Sequence, residues 1–294
     1  MARDTGPRLF VFGLGYSARV FARRLSARGW RIAGTTRNPE AATALRAEGI
    51  EAWPFDRDRP LSEPAAALAG TTHLLASIPP DAAGDPVLDR HGPDIAACAD
   101  LAWAGYLSTT GVYGDRAGGW VDEDSALEPT SPRATHRVAA ERAWLKLRQS
   151  RGLPVHIFRL AGIYGPGRSA LDQVRDGTAK RIQKPGQAFS RIHVDDIATV
   201  LEASIARPHP GRAYNLCDDL AAPPAEVVAR ACALLGLEPP PLIPFEAADL
   251  SPMARSFYRD NKLVSNRRIK EELGVTPAYP DFKAGLAAIL AAGG

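Results

Sequence analysis

Apolar runs of four to six residues alternate with helix-length amphipathic stretches over the first 160 residues of the chain. Leu9-Phe-Val-Phe12 reads as a buried strand, and Tyr16 to Arg28 as a helix stopped by Gly29. Arg31 to Thr36 is a second strand. Asn38-Pro39 supplies the N-cap and first residue of a helix that Gly49 closes. Ile50–Phe55 reads as a third strand, Ser62–Ala69 as a short helix and His73–Ile78 as a fourth strand. A helix is expected over Pro93–Trp103, a fifth strand over Gly105–Thr109, a long helix from Ser131-Pro132 through Gln149, and a sixth strand over Val155–Arg159.

Strands alternating with helices of this length imply parallel βαβ units with right-handed crossovers. The expectation is an α/β chain: a Rossmann-type doubly wound parallel sheet followed by a smaller, irregular C-terminal lobe. Ligands of such a sheet gather beyond the carboxyl ends of the strands. Past Gly165 the pattern loosens, and proline-rich runs such as Glu238-Pro-Pro-Pro-Leu-Ile-Pro244 interrupt it. Residues 1–166, with 190–206 returning, are expected to form the dinucleotide-binding domain. Residues 167–189 and 207–294 are expected to form the substrate lobe.

The turn after the first strand carries the most specific chemistry. Gly13-Leu14-Gly15-Tyr16-Ser17-Ala18 fits G-x-G-x-x-[GA] between a strand and a helix, the context that gives the pattern meaning. Gly13 permits the tight turn, and Gly15 lets backbone approach a diphosphate. Ala18 lets the helix pack on the sheet. Tyr16 lies over the diphosphate, and Ser17 sits among the first free N–H groups of the helix. About twenty residues on, a site selective for the non-phosphorylated cofactor places a carboxylate on the ribose. Here the chain reads Gly34-Thr35-Thr36-Arg37-Asn38. Thr36 and Arg37 therefore favour NADP over NAD. Asp56 either faces the adenine or shapes its own loop. Ser77, Ile78 and Pro79 follow the fourth strand and border the same crevice.

Further motifs extend the reading. Ser108-Thr-Thr-Gly-Val-Tyr-Gly114, Arg159-Leu-Ala-Gly-Ile-Tyr-Gly-Pro-Gly-Arg168 and Arg191-Ile-His-Val-Asp-Asp-Ile-Ala198 occur in that order, followed by Tyr214-Asn-Leu216 and Asn266–Leu273. With these segments the chain resembles the extended short-chain dehydrogenase/reductase superfamily, specifically its NAD(P)-dependent epimerase/dehydratase-like proteins. The resemblance implies a nicotinamide cofactor, a substrate between the lobes and a dimer through the long helices. It also implies a Tyr-x-x-x-Lys pair on the helix after the fifth strand. That helix reads Arg133-Ala-Thr-His-Arg137 instead. Tyrosine can give or take a proton, whereas arginine stays protonated. A Tyr258-x-x-x-Lys262 string exists in the C-terminal lobe and is read as coincidence.

The remaining candidates for chemistry follow from this departure. Thr109 polarises a substrate oxygen or is satisfied by local backbone. Arg133 and Arg137, at i and i+4, share a helix face and can fork onto a carboxylate, a phosphate or a ribose. His136 titrates near neutrality but sits about 100° around the helix from Arg137. Tyr113 and Tyr164 either donate a proton at the cleft or pack at its rim. Asp195 and Asp196 read as helix caps, Asp122-Glu-Asp124 as a solvated loop, and Arg168 and Arg255 as surface or anion-facing groups.

Two functions follow: an NADP-binding oxidoreductase or epimerase/dehydratase-like enzyme, or a non-catalytic NADP(H)-binding regulatory and redox-sensing protein. The enzyme would act on a small substrate, anionic or like a sugar nucleotide, with a non-standard acid/base group.

Charge narrows the partners. The 36 basic and 33 acidic residues leave a net charge of +3, and the basic residues are scattered, so no nucleic-acid track is expected. No run approaches the ~20 apolar residues of a membrane span, and no signal peptide is evident. Three distant cysteines suit a reducing cytoplasm, and no histidine pair has metal spacing.

Overall fold

The computed structural model describes residues 6–293. The chain begins β1 (Arg8–Phe12), α1 (Tyr16–Ser26), β2 (Arg31–Thr36), α2 (Pro39–Ala47), β3 (Glu51–Pro54), α3 (Pro64–Leu68) and β4 (His73–Ala76). It continues through α4 (Pro86–Ala96), β5 (Trp103–Thr109), β6 (Trp120–Val121), α5 (Pro132–Arg151), β7 (Val155–Leu160), β8 (Gly162–Tyr164), α6 (Ala170–Arg175) and β9 (Arg181–Gln183). Then follow β10 (Arg191–His193), α7 (Val194–Ala206), β11 (Ala213–Leu216), α8 (Pro224–Leu235), β12 (Leu242–Pro244), α9 (Pro252–Phe257), β13 (Leu263–Val264), α10 (Arg267–Leu273) and α11 (Phe282–Ala291).

Seven strands form the central parallel sheet in the order β11-β7-β5-β4-β1-β2-β3. Strand order reverses between β1 and β4, so a crevice opens outside their carboxyl ends. Gly13 follows one of these strands and Ser77 the other. The sequence pattern identifies six of the seven strands; β11 is the addition.

One expected helix is displaced. The stretch assigned to Pro93–Trp103 is helical over Pro86–Ala96, and Trp103 begins β5. The true start is Asp85-Pro86: the Asp85 carboxylate accepts the Val87 and Leu88 amides, and Pro86 occupies the first turn, where its missing N–H costs nothing. Pro93 lies inside the helix rather than opening it.

Packing divides the chain into two units. The first comprises the residues up to Thr109, Pro132–Arg159 and Ala198–Tyr214. Its core is built on Phe10, Phe12, Phe55, Tyr106, Trp144 and Ile157. The apolar stripe of α1 (Ala18, Phe21, Ala22, Leu25) is buried, which fixes the orientation of the helix whose amino end follows Gly15. The second unit comprises Thr110–Ser131, Leu160–Ile197 and the residues from Asn215 on. Here α6, α8 and α11 enclose Leu171, Ala231, Phe282 and Leu286. Tyr164 packs so closely on α11 that a Cβ at Gly285 would stand 2.1 Å from its hydroxyl.

Candidate functional site

The turn from β1 to α1 is held by its neighbours in the sheet. Gly13 adopts φ +92°, a region that glycine enters without steric cost. Its N–H donates to Thr35 Oγ1 at 2.9 Å and its carbonyl accepts from Ser77 Oγ at 2.8 Å. A Cβ there would stand 2.8 Å from Ile78 Cγ1. Ser77 and Ile78, assigned to the crevice from sequence, thus brace the glycine turn. Thr35 does the same from β2 and was not singled out as a site residue. Pro79 is exposed beyond them.

Gly15 is different in kind. It is the N-cap of α1, extended at φ −86° and ψ −169°, with no side-chain cap hydrogen bond and no acidic residue in the first turn. A Cβ added at Gly15 would meet no heavy atom within 4 Å. Gly15 therefore faces open space at the partly positive end of a helix, the geometry that suits a diphosphate. Ala18 and Ser17 are buried against the sheet, and Tyr16 is half-buried at the helix start.

At the end of β2, Thr36 is half-buried and Arg37 is exposed. The Arg37 carbonyl accepts from Arg59 Nη2 at 2.6 Å. Asp56 Oδ1 accepts the amides of Asp58 and Arg59, and Oδ2 accepts the Arg59 guanidinium at 2.9 Å. This is the loop role left open by the sequence. Arg59, which sequence reasoning passed over, brings a second guanidinium to the Arg37 backbone.

The carboxyl end of β5 is stitched to α5. Arg137 Nη1 donates to the Leu107 carbonyl at 2.6 Å and to Tyr106 Oη at 3.0 Å. Its guanidinium carbon lies 5.5 Å from the centre of the Tyr106 ring. Burial pushes the Tyr106 hydroxyl well above its ordinary value, so it stays a neutral partner. Four residues along α5, Glu141 is buried. It accepts Ser108 Oγ at 2.5 Å and Arg159 Nη2 at 2.9 Å. This buried ion pair fixes β5, α5 and β7 to one another just before Thr109, which is half-buried. Nearby, Asp85 accepts Trp144 Nε1 at 3.0 Å, and burial raises its carboxyl pKa. Arg133 is exposed on the first turn of α5, and His136 is half-buried.

The two tyrosines proposed as proton donors take the packing alternative. Tyr113 is fully buried, and its hydroxyl donates to Asn215 Oδ1 at 2.7 Å. Tyr164 is buried beside His193, donates to the Asp281 carbonyl at 3.3 Å, and burial holds its hydroxyl far above the ordinary value. Other acidic expectations change too. Asp196 caps no helix end: its carboxylate accepts the amides of Ala278 and Tyr279. Glu123 is not solvated, because its side chain is buried and accepts the Asn215 amide at 2.7 Å. Arg255 lies over the Phe245 ring and donates to the Ala248 carbonyl. Arg168 is exposed.

Among the described residues, no group of histidine, cysteine and carboxylate side chains could hold a metal ion. Among the same residues, no helix is long and apolar enough to cross a membrane.

Residues 95–217 match the model of the NAD dependent epimerase/dehydratase family. A solved structure from Silicibacter pomeroyi DSS, described as a functionally unknown conserved protein, is 52% identical. The match covers 98% of this chain and 99% of that one, with a TM-score of 0.88. Protein YeeZ of Escherichia coli K12 is 29% identical over 286 residues, 93% of this chain and 97% of YeeZ. The dTDP-glucose 4,6-dehydratase of Streptomyces venezuelae, solved with NAD and TYD bound, shares the fold at a TM-score of 0.76 and 20% identity. That match covers 97% of this chain and 96% of the dehydratase.

Proposed function

Residues 95–217 match the NAD dependent epimerase/dehydratase family model, and we propose that the chain is an epimerase/dehydratase-like protein of the extended short-chain dehydrogenase/reductase type that binds a nicotinamide dinucleotide and acts as an oxidoreductase or epimerase on a small substrate. The observation that carries the reading is Gly15, an uncapped helix start facing open space. The first N–H groups of α1 would hold the diphosphate, and Gly13, Thr35 and Ser77 keep the turn in shape. Arg37, with Arg59 on its carbonyl, supports NADP over NAD: a 2′-phosphate there would meet guanidinium rather than carboxylate.

When bound, the nicotinamide would supply or accept a hydride. Thr109 follows the segment tied down by Glu141 and Arg137, which supports a role for its hydroxyl in polarising a substrate oxygen. Arg137 uses only Nη1 for its two hydrogen bonds. Nη2 and Nε remain to grip a ribose, a carboxylate or a phosphate. Neither Arg133 nor Arg137 can act as a base at neutral pH, and Tyr113 and Tyr164 are committed elsewhere. An anionic substrate, such as a sugar nucleotide, suits the arginines.

A second reading is favoured by those same arginines. A protein that binds NADP(H) and reports its redox state needs the α1 turn and Arg37 but no proton donor. Calorimetric titration with NADP, NADPH, NAD and NADH tests the shared claim, and turnover of NADPH with a carbonyl library separates the two. Equal affinity for NADP and NAD would sink the Arg37 argument. Absence of binding by all four would sink both readings.

A further inference from the structure

Two arginines follow β3 in the loop Asp56-Arg57-Asp58-Arg59, and the fold uses them differently. Arg57 spends its whole fork on the segment after β4. Its Nε meets Asp81 Oδ2 at 2.6 Å, Nη1 meets Asp89 Oδ2 at 2.7 Å, and Nη2 donates to the Gly84 carbonyl at 3.1 Å. Arg59 spends one nitrogen. Its Nη2 donates to the Arg37 carbonyl at 2.6 Å and to Asp56 Oδ2 at 2.9 Å, while Nε and Nη1 meet no partner among the described residues. A guanidinium carries five N–H donors, so three remain, on a side chain that is 44% exposed.

The loop holds this spare fork beside the dinucleotide turn, within the first packing unit. Asp56 and Arg59 exchange backbone hydrogen bonds in both directions, at 3.1 and 3.2 Å. Asp56 Oδ1 accepts the Asp58 and Arg59 amides as well. The Phe55 amide donates to the Thr36 carbonyl at 2.9 Å, which sets the loop against the end of β2. Thr35 in turn accepts the Gly13 amide on Oγ1 and the Leu14 amide on its carbonyl. Arg37 therefore stands two residues, at most about 7 Å of chain, beyond a residue that touches the glycine turn. Its side chain is exposed and makes no hydrogen bond or ion pair among the described residues.

We propose that Arg59 is a second arm for the ribose 2′-phosphate and a determinant of NADP selectivity in its own right. The proposal rests on the dinucleotide reading above. A phosphate monoester carries a charge of about −1.5 to −2 and three acceptor oxygens, more than one guanidinium fork satisfies. Arg37 offers a fork from the end of β2, and Arg59 offers Nε and Nη1 from the loop after β3. Asp56 and the Arg37 carbonyl hold the third nitrogen of Arg59 and so fix the plane of its fork. NAD, which has a hydroxyl in place of the phosphate, gains little from these donors.

Calorimetric titration with NADP and NAD, and with adenosine 2′,5′-bisphosphate and 5′-AMP, provides the test. The proteins are the wild type, Arg59→Ala, Arg59→Gln, Arg37→Ala and the double alanine variant. Arg59→Ala should lose about 10-fold or more in affinity for NADP and for the bisphosphate. It should lose less than about twofold for NAD and 5′-AMP, which also shows that it folds. Arg59→Gln keeps a neutral donor for the Arg37 carbonyl but no charge, and should lose as much as Arg59→Ala. In the Arg37→Ala background no arginine side chain is left at position 37 to orient, yet Arg59→Ala should still cost NADP a further several-fold. Wild-type NADP affinity in either Arg59 variant, no further loss in the double variant, or equal losses for NADP and NAD would reduce Arg59 to a prop for the backbone. Any of these overturns the proposal and leaves the dinucleotide reading intact. A wild type that binds no dinucleotide overturns both.

Discussion

Substituting Gly15 by aspartate should strengthen the fold while abolishing dinucleotide binding. Gly15 is extended, uncapped and open at its Cβ position, so an aspartate enters without strain. As an N-cap, aspartate exceeds glycine by a few tenths of a kcal/mol, and its charge at the positive helix end adds about 0.3–1 kcal/mol. Loss of glycine's freedom in the unfolded chain adds a similar amount. The sum is about 1 kcal/mol, or an upward shift of about 2 °C in Tm for a chain of this size. The same carboxylate takes the N–H groups and the space that the diphosphate needs. Each charge-assisted hydrogen bond lost is worth about 1.5–3 kcal/mol, so affinity should fall by more than about 100-fold. Gly13→Asp should behave oppositely, because φ +92° and the 2.8 Å approach to Ile78 Cγ1 destabilise the fold by about 2 kcal/mol or more. Thermal melts and calorimetric titration of both variants with NADPH provide the assay. The argument is refuted if Gly15→Asp binds NADPH as the wild type does, or melts several degrees lower.

Arg37→Ala should weaken NADP by about 10- to 100-fold, the value of one charge-assisted contact, and leave NAD unchanged in the same titrations. Glu141→Leu strands the buried Arg159 guanidinium and should cost about 3–5 kcal/mol in urea unfolding; adding Arg159→Met should restore much of it. His156 is buried and its pKa is depressed to about 4 by desolvation. Between pH 6.5 and 4 the unfolded chain binds the extra proton, so His156 contributes stability that is lost as pH falls through this window, by at most about 1.4 kcal/mol per pH unit. His156→Phe should flatten the stability–pH curve there, and an unchanged slope would contradict the burial argument.

The parts of the fold legible in the sequence are those whose signals are local. Asn38-Pro39 starts α2 as expected, with the Asn38 side chain accepting the Glu40 amide. Gly13, Gly15 and Ala18 announce the turn because their small size is itself the requirement. The α4 error has a local cause as well: Gly92-Pro93 reads as a breaker, and Asp85-Pro86 was the stronger start signal. What stayed hidden depends on partners far along the chain. Glu141 looks like any helix glutamate until Ser108 and Arg159 converge on it. Tyr113 looks like a rim residue until Asn215, 102 positions away, accepts a hydrogen bond from its hydroxyl. Lys262 looks like any surface lysine until its ammonium donates to the Gly114 carbonyl, 148 positions away. No periodicity or spacing reports such contacts.

An arginine at position 137, where the resemblance implies a lysine, does more than exchange one cation for another. A lysine offers three donors that rotate around a single nitrogen, whereas the guanidinium is a planar fork. Here one nitrogen of the fork is fixed by the Leu107 carbonyl and the Tyr106 hydroxyl, which locks the plane and aims the other two nitrogens. A locked cation binds well but cannot shuttle protons, and it favours an oxygen that is already charged over one that must gain a proton. Substitutions at Arg137 should therefore act mainly on Kd or KM and leave kcat nearly unchanged in steady-state kinetics; an equal loss in kcat would contradict a purely binding role.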